Sequence, residues 1–331
     1  MRRWGVLCLV AVLVPATASA TPQDLFGAGG RTTALAMTGT SYVETYEAVY
    51  ANPAGLAAAR RRALYLGVQA AGYHLEIDGQ PSFLTPARGL AIGFHLPLPF
   101  GDVLQDRLVI GGVFFTPAEV LLRGKVQYPE AIQWSVLDRA QVLAVQIGLG
   151  IDLRGLVDGL SIGAGFSALA NVIGSLDVRL DETNAFTSVV ETQLITTFSP
   201  TVGARWVQPP SMRGSLAEPE YGFGITYRHE VLSRMTLDIV TSDLPVELPV
   251  LSVGGLVQYD PPTLLAEGFY RPIPDLMLVL GLTTRFWSAW PGAQVPTSSN
   301  SYLAPAPDFS IVPSPRIAAE GRFADERFVL A

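Results

Sequence analysis

Asp24–Ala57 reads DLFGAGGRTTALAMTGTSYVETYEAVYANPAGLA, and this stretch sets the terms for the rest of the chain. It is rich in Gly, Ala and Thr, so its backbone can pack closely against whatever surrounds it. It closes on Asn52-Pro53-Ala54-Gly55-Leu56, where Asn52 can hold a turn through its side chain and Pro53 fixes φ at the exit toward a first strand. Gly27-Ala28-Gly29-Gly30 is not a phosphate loop, because no Lys-Ser/Thr follows at the required spacing and no strand precedes it. Small residues of this kind suit a compact segment inside a lumen; the plainer alternative is a turn ahead of strand one.

Upstream, residues 1–20 read as a secretory signal. Arg2 and Arg3 form its positive end, Val6–Val14 is apolar but too short to span a bilayer, and Ala18-Ser19-Ala20 is a small-x-small cleavage site. The lone cysteine, Cys8, lies inside that signal, which leaves the mature chain without disulfide, thiolate nucleophile or cysteine metal site. Removing Arg2 and Arg3 from 22 basic residues leaves 20 against 29 acidic ones, a net charge of −9 that argues against a nucleic-acid partner. Charged residues make up only 15% and mean hydropathy is +0.33. Yet no stretch beyond residue 20 holds about eighteen uninterrupted apolar residues. An exported apolar chain without spanning helices can satisfy its backbone in lipid by one other route, a closed β-barrel.

From residue 63 a period-2 alternation persists. Leu143, Val145, Ile147, Leu149 and Ile151 take one face, and Gln146, Gly148, Gly150 and Asp152 the other. Leu90, Ile92, Phe94, Leu96 and Leu98 alternate with Gly89, Ala91, Gly93 and His95. Leu276, Leu278, Leu280 and Leu282 face away from Gly281, Thr283 and Arg285. This is the pattern of lipid-facing, lumen-lining strands; the outer faces of a soluble β-sandwich would carry more charge. Strands are expected near 63–77, 87–98, 106–116, 139–153, 158–176, 188–206, 219–231, 234–241, 250–259, 263–271, 276–287 and 315–323, with a thirteenth from Glu326. If the first rises, the long connections 117–138 and 288–313 both fall on the outer side. The chain stops at Ala331 inside the thirteenth strand and lacks a terminal aromatic residue. The expectation is therefore an all-β transmembrane antiparallel barrel that is C-terminally truncated, or else a smaller barrel.

The motif residues carry a resemblance. Phe26-Gly27-x-Gly29-Gly30-Arg31, the small residues from Ala34 to Gly39, and Tyr50-x-Asn52-Pro53-Ala54-Gly55-Leu56 resemble the N-terminal plug of FadL-type outer-membrane transporters, which include long-chain fatty acid and aromatic hydrocarbon channels. The resemblance implies a barrel of about fourteen strands over residues 63–331, around a plug at 21–62. Gly29, Gly30, Asn52, Pro53 and Ala54 would form its gate. It implies a kinked third strand opening sideways into the bilayer, for which Gly111 and Gly112 are placed. It implies passive uptake of a hydrophobic small molecule by a single copy in the cell outer membrane, with outer-membrane lipids and the barrel-assembly machinery as partners, no cofactor and no metal. Leu121, Leu122, Tyr128, Ile132 and Trp134 could line a capture groove. The alternative is a non-transporting scaffold associated with secretion or envelope structure.

Charged residues on the apolar strands (Glu191, Arg205, Arg228, Glu230, Glu267, Arg271, Arg285, Arg316, Glu320, Arg322) are expected inside, paired with the plug. Arg228, Arg271 or Arg285 could instead meet a ligand carboxylate, since Arg suits bidentate contact. Tyr65, Tyr73, Trp206, Tyr221, Tyr259, Trp287 and Trp290 fit interfacial girdles. Gly159-Leu160-Ser161-Ile162-Gly163 matches a nucleophile elbow, but that motif needs a strand, a turn and a helix. Here alternation runs on, so Ser161 is expected to be a lumen-facing strand residue. His74, His95 and His229 show no metal-ligand spacing.

Overall fold

A computed structural model describes residues 29–71, 75–77, 80–82, 87–101, 106–117, 122–124, 137–140, 144–180, 186–213, 218–242, 251–292, 308–323 and 328–330. The expected signal, Tyr73, His74 and most of the expected groove (Leu121, Tyr128, Ile132, Trp134) lie outside them, and Leu122 is described only as the first backbone position of a short strand. Among the described residues no helix is long and apolar enough to cross a membrane.

Alternation turns into strands: β1 (Ala63–Ala71), β2 (Leu75–Ile77), β3 (Gln80–Ser82), β4 (Ala87–Pro97), β5 (Leu108–Pro117), β6 (Leu122–Gly124), β7 (Leu137–Ala140), β8 (Ala144–Asp152), β9 (Leu160–Leu180), β10 (Phe186–Val207), β11 (Tyr221–Arg228), β12 (Val231–Ser242), β13 (Leu251–Asp260), β14 (Thr263–Ile273), β15 (Leu276–Phe286), β16 (Ile311–Phe323) and β17 (Phe328–Leu330). One antiparallel wall runs β1-β4-β5-β8-β9-β10-β11-β14-β15-β16-β17, and β1 and β17 stand at its two ends without closing it. Short connections at 153–159 and 274–275 define its lower end; β5 and β15 finish, and β8 and β16 start, at the upper end.

Ahead of the wall come α1 (Gly30–Ala34), α2 (Ala48–Ala51) and a 3-10 helix, Pro53–Ala58. Eleven strands laid flat at about 4.8 Å spacing would span on the order of 50 Å. Yet this short segment touches β4 through Tyr46 and Gly93, and β16 through Arg31 and Glu320. The wall is therefore curled, with the segment on its concave side. The core forms between them: Leu35, Tyr42, Val43, Ala48, Val49 and Leu56 of the segment pack with Val109 and Val113 of β5 and Phe269, Met277 and Val279 of β14 and β15. Burying a side chain such as Leu56 contributes about 1.5–3 kcal/mol. The convex face stays apolar and exposed, with Val68 at 84% and Leu280 at 64%.

The wall has two strands fewer than the thirteen expected, for one reason applied twice. Residues 219–231 and 234–241 were expected to run in opposite directions. Instead β11 bends at 229–230 and continues upward as β12, which leaves the wall and pairs parallel with the upper part of β9. β13 descends beside β12 and passes through a bend at Pro261-Pro262 into β14. Proline cannot donate to a ladder, so a break in pairing reads in the sequence like a hairpin turn. The two misread reversals cancel, so the up-down order of later strands still comes out as expected.

Candidate functional site

The concave face is where sequence and structure meet most closely. In one register row, Arg205 of β10 stands opposite Gly224 of β11, then Glu267 of β14, Gly281 of β15 and Arg316 of β16. Charges of alternating sign are thus separated by glycines, and all three grip the loop 37–44. The Arg316 guanidinium donates to the Met37 carbonyl at 2.7 Å. The Glu267 carboxylate accepts from Gly39 N and Ser41 N, both at 2.9 Å, and from Ser41 Oγ at 2.7 Å. Arg205 donates to the Ser41 carbonyl at 2.7 Å and to Glu44 at 2.6 Å. Gly224 has no side chain because the Thr40 carbonyl occupies the place of a Cβ. Lower on β16, Glu320 receives Arg31 in a bidentate pair at 2.6 and 2.9 Å. Charge-assisted bonds of this kind contribute about 1.5–3 kcal/mol each when buried.

Across the wall the seat is made by absence. Gly150, Gly163 and Gly203 are direct partners on β8, β9 and β10, and Gly111 pairs with Gly148. A Cβ on Gly111 would stand 2.7 Å from Leu56 and 2.9 Å from Val49; on Gly150 it would stand 2.6 Å from Ala57 N. On Gly163 it would strike Pro53 and Ala54, and on Gly203 the Asn52 side chain. The 3-10 helix therefore rests on wall backbone.

Asn52 joins the two regions. Its Oδ1 accepts from Ala54 N at 3.1 Å, while Nδ2 donates to the Thr40 carbonyl at 2.8 Å and to the Ala204 carbonyl of β10 at 3.0 Å. Pro53 starts the 3-10 helix and Ala54, its second residue, is fully buried. Gly29 makes room for the Glu47 carboxylate, which accepts from Thr32 N at 2.9 Å. Gly30 has open space around it, so nothing there demands a glycine. Burial first, then the neighbouring Glu47 and Tyr65, pushes the Tyr46 hydroxyl up to about 12.

Where α1 runs into the gripped loop, two non-glycine residues hold left-handed backbone in succession, Ala36 at φ 53 and Met37 at φ 62. Such a conformation costs an L-residue about 1–2 kcal/mol.

The remaining sequence candidates fall in different places. At Gly111 and Gly112 β5 pairs without a register break on both sides; Gly111 faces Leu56 and Gly112 lies under the Phe94 ring. Arg228 and Arg285 occupy one upper row on either side of Thr263. The Arg228 guanidinium sits 4.1 Å over the Tyr50 ring, a cation–π contact. Arg271 is at the opposite end, 3.5 Å from Glu218 and bonded to the Pro219 carbonyl at 2.8 Å, so the three arginines do not form one site. Tyr65 is not part of a girdle: it turns inward and stacks on Tyr46 with centroids 4.4 Å apart. Its parity with Gly67 and Gln69, opposite Leu64 and Leu66, carried that information. Trp206, Tyr221 and Phe223 cluster low on the wall, and Tyr259, Trp287, Trp290 and Phe309 high. Ser161 lies within β9, its hydroxyl donating to the Arg205 carbonyl at 3.4 Å, with no turn into a helix after it. Among the described residues no three potential metal ligands gather. Sequence reasoning counted Arg205, Glu267, Arg316 and Glu320 as inward charges but singled out none of them. Their shared row shows only once the register is known.

No family model matches the chain, and no curated protein matches it in sequence. The fold is shared with a FadL homologue from Pseudomonas aeruginosa at a TM-score of 0.55 and 13% identity, over 92% of this chain and 77% of that one. This agrees with the resemblance read from residues 26–56. The P. putida toluene transporter TodX aligns at 0.49 and 12% identity, over 91% of this chain and 81% of that one. A monoaromatic hydrocarbon channel, CymD, aligns at 0.44 and 12%, over the same shares.

Proposed function

We propose that this chain is an outer-membrane channel for passive uptake of hydrophobic small molecules, with residues 29–59 as a plug in its lumen. The observation that carries the reading is the seat itself: a curled, outwardly apolar wall whose inner face is shaped residue by residue to one N-terminal segment. The shared fold with a FadL homologue supports it. In this reading the signal at 1–20 exports the chain, the wall sits in the outer membrane with the lower end toward the periplasm, and substrate enters from the upper end. Apolar ligand surface leaving water contributes roughly 25 cal/mol per Å² to capture, and no energy coupling is needed. A long-chain fatty acid would place its carboxylate at the upper row, where Arg228 lies over the Tyr50 ring and Arg285 shares its row; an alkylbenzene would do without that contact.

Uptake of a labelled long-chain fatty acid and a labelled alkylbenzene, by cells with and without the gene, tests the proposal. Faster uptake of either in cells carrying the gene is expected. Equal uptake of both would sink the channel reading and favour a scaffold built on the same plan.

A further inference from the structure

We infer that Leu35–Ser41 is the part of the plug that releases, strained by the left-handed pair Ala36-Met37 and caught by Glu267 and Arg316; this rests on the plug reading above. Ala36 takes the left-handed place one residue past the α1 cap, and Met37 repeats that conformation with no capping reason of its own. Ala36 is exposed, so no packing forces its backbone into a region that crowds its own Cβ. Within the loop, Met37 N bonds the Thr32 carbonyl at 2.8 Å and Thr38 Oγ1 the Leu35 carbonyl at 2.7 Å, which shapes a turn but does not tie it to the wall.

The ties come from the wall, immediately after the strained pair: Arg316 on the Met37 carbonyl, then Glu267 on the Gly39 and Ser41 amides. Gly281, on the strand between them, would hold a Cβ in ordinary contact with Glu267, at 3.4–3.6 Å. The 3-10 helix differs on every count. It has no left-handed residue and is held by backbone fit to Gly150 and Gly163. Release of the two catches frees the Met37 carbonyl and the Gly39 and Ser41 amides, while Arg205 and Asn52 still hold the Ser41 and Thr40 carbonyls and Pro53–Ala58 keeps its place.

Amide hydrogen exchange on the folded chain in detergent micelles, alongside cellular uptake of a labelled fatty acid, tests this. Glu267→Gln and Arg316→Met are expected to speed exchange of the 37–41 amides at least tenfold and leave 54–59 unchanged. Ala36→Asn and Met37→Asn, which place a residue tolerant of left-handed backbone there, are expected to slow 37–41 about three- to tenfold. Asparagine variants that exchange as fast as wild type or faster overturn the inference, as do catch variants that free 54–59 together with the loop. Exchange moving in the two expected directions while uptake stays level in all four variants upholds the latch and overturns the channel.

Discussion

Residues 29–47 and 48–59 lie on the same wall and are held there by opposite means. The first half is gripped by side chains reaching in from β10, β14 and β16, at full hydrogen-bond strength and with both signs of charge. The second half lies mainly on wall glycines, with Val49 and Leu56 also in the core beside Val109 and Val113 and Asn52 bonded to the Ala204 carbonyl; Ala48, Val49, Asn52, Ala54 and Leu56 are among its buried residues. Bonds between charges can be exchanged for bonds to water, one at a time, and salt weakens those that solvent reaches. A backbone fit has no such intermediate stage: it holds or it is lost. A segment built this way has one end that can be let go by degrees and another that cannot.

The largest expected effect breaks the comparison on its dry side. Gly163→Val or Gly203→Val puts side-chain atoms where Pro53, Ala54 or Asn52 now stand, and the overpacking should cost about 3 kcal/mol or more. Limited proteolysis should then cut within 29–59, and a segment as protected as wild type would show that the glycines are incidental. Next is Glu267→Ala, which strands two backbone amides and a hydroxyl and should cost about 2–3 kcal/mol of seating. Proteolysis is expected to rise at 37–44 and not at 53–58; a rise at both would mean the halves are not separable.

Acid gives a smaller effect with a definite sign. Burial alone would raise the Glu218 carboxyl, but the hydrogen bond from Arg322 and the charges of Arg271, Arg322 and Arg31 outweigh it and hold it below the usual range. A carboxyl lowered in the folded state stabilises fully above its ordinary value of about 4.3 and loses that contribution as pH falls through the folded one. Melting in detergent should therefore drop between pH 7 and acid, less so in Glu218→Gln, and α1 with its Arg31 should loosen before the 3-10 helix. Equal pH dependence in the two proteins removes Glu218 from the account. The smallest effect has the reverse sign. Gly30 is helical with open space around it, so Gly30→Ala should stabilise by about 0.5–1 kcal/mol, read as a small rise in melting temperature.

Much of this was open to a reader of the residues alone. The alternation from residue 63 separates the outward leucines from the inward glycines and charges, and Asn52-Pro53 marks where the segment hands over to the wall. Side of sheet is a matter of parity, which the sequence carries strand by strand. Neighbour across the sheet is a matter of register, which it does not. Gly281 is one glycine among 32 until it is known to stand between Glu267 and Arg316. The left-handed pair Ala36-Met37 had no signal, since neither residue type favours that backbone. Gly111 and Gly112 show the converse: a strand glycine marks a bend or a close neighbour, and the close neighbours Leu56 and Phe94 are visible only in the fold.

The glycines under the 3-10 helix also bear on the order of assembly. This helix meets β8 and β9 directly through its backbone and reaches β5 through its Leu56 side chain, a fit made more easily while strands are being added than afterwards. It precedes those strands in the chain, so it is made first and each later hairpin can be laid against it. Under the plug proposal the segment would do two jobs at different times: a former around which the wall is rolled, and afterwards the stopper in it.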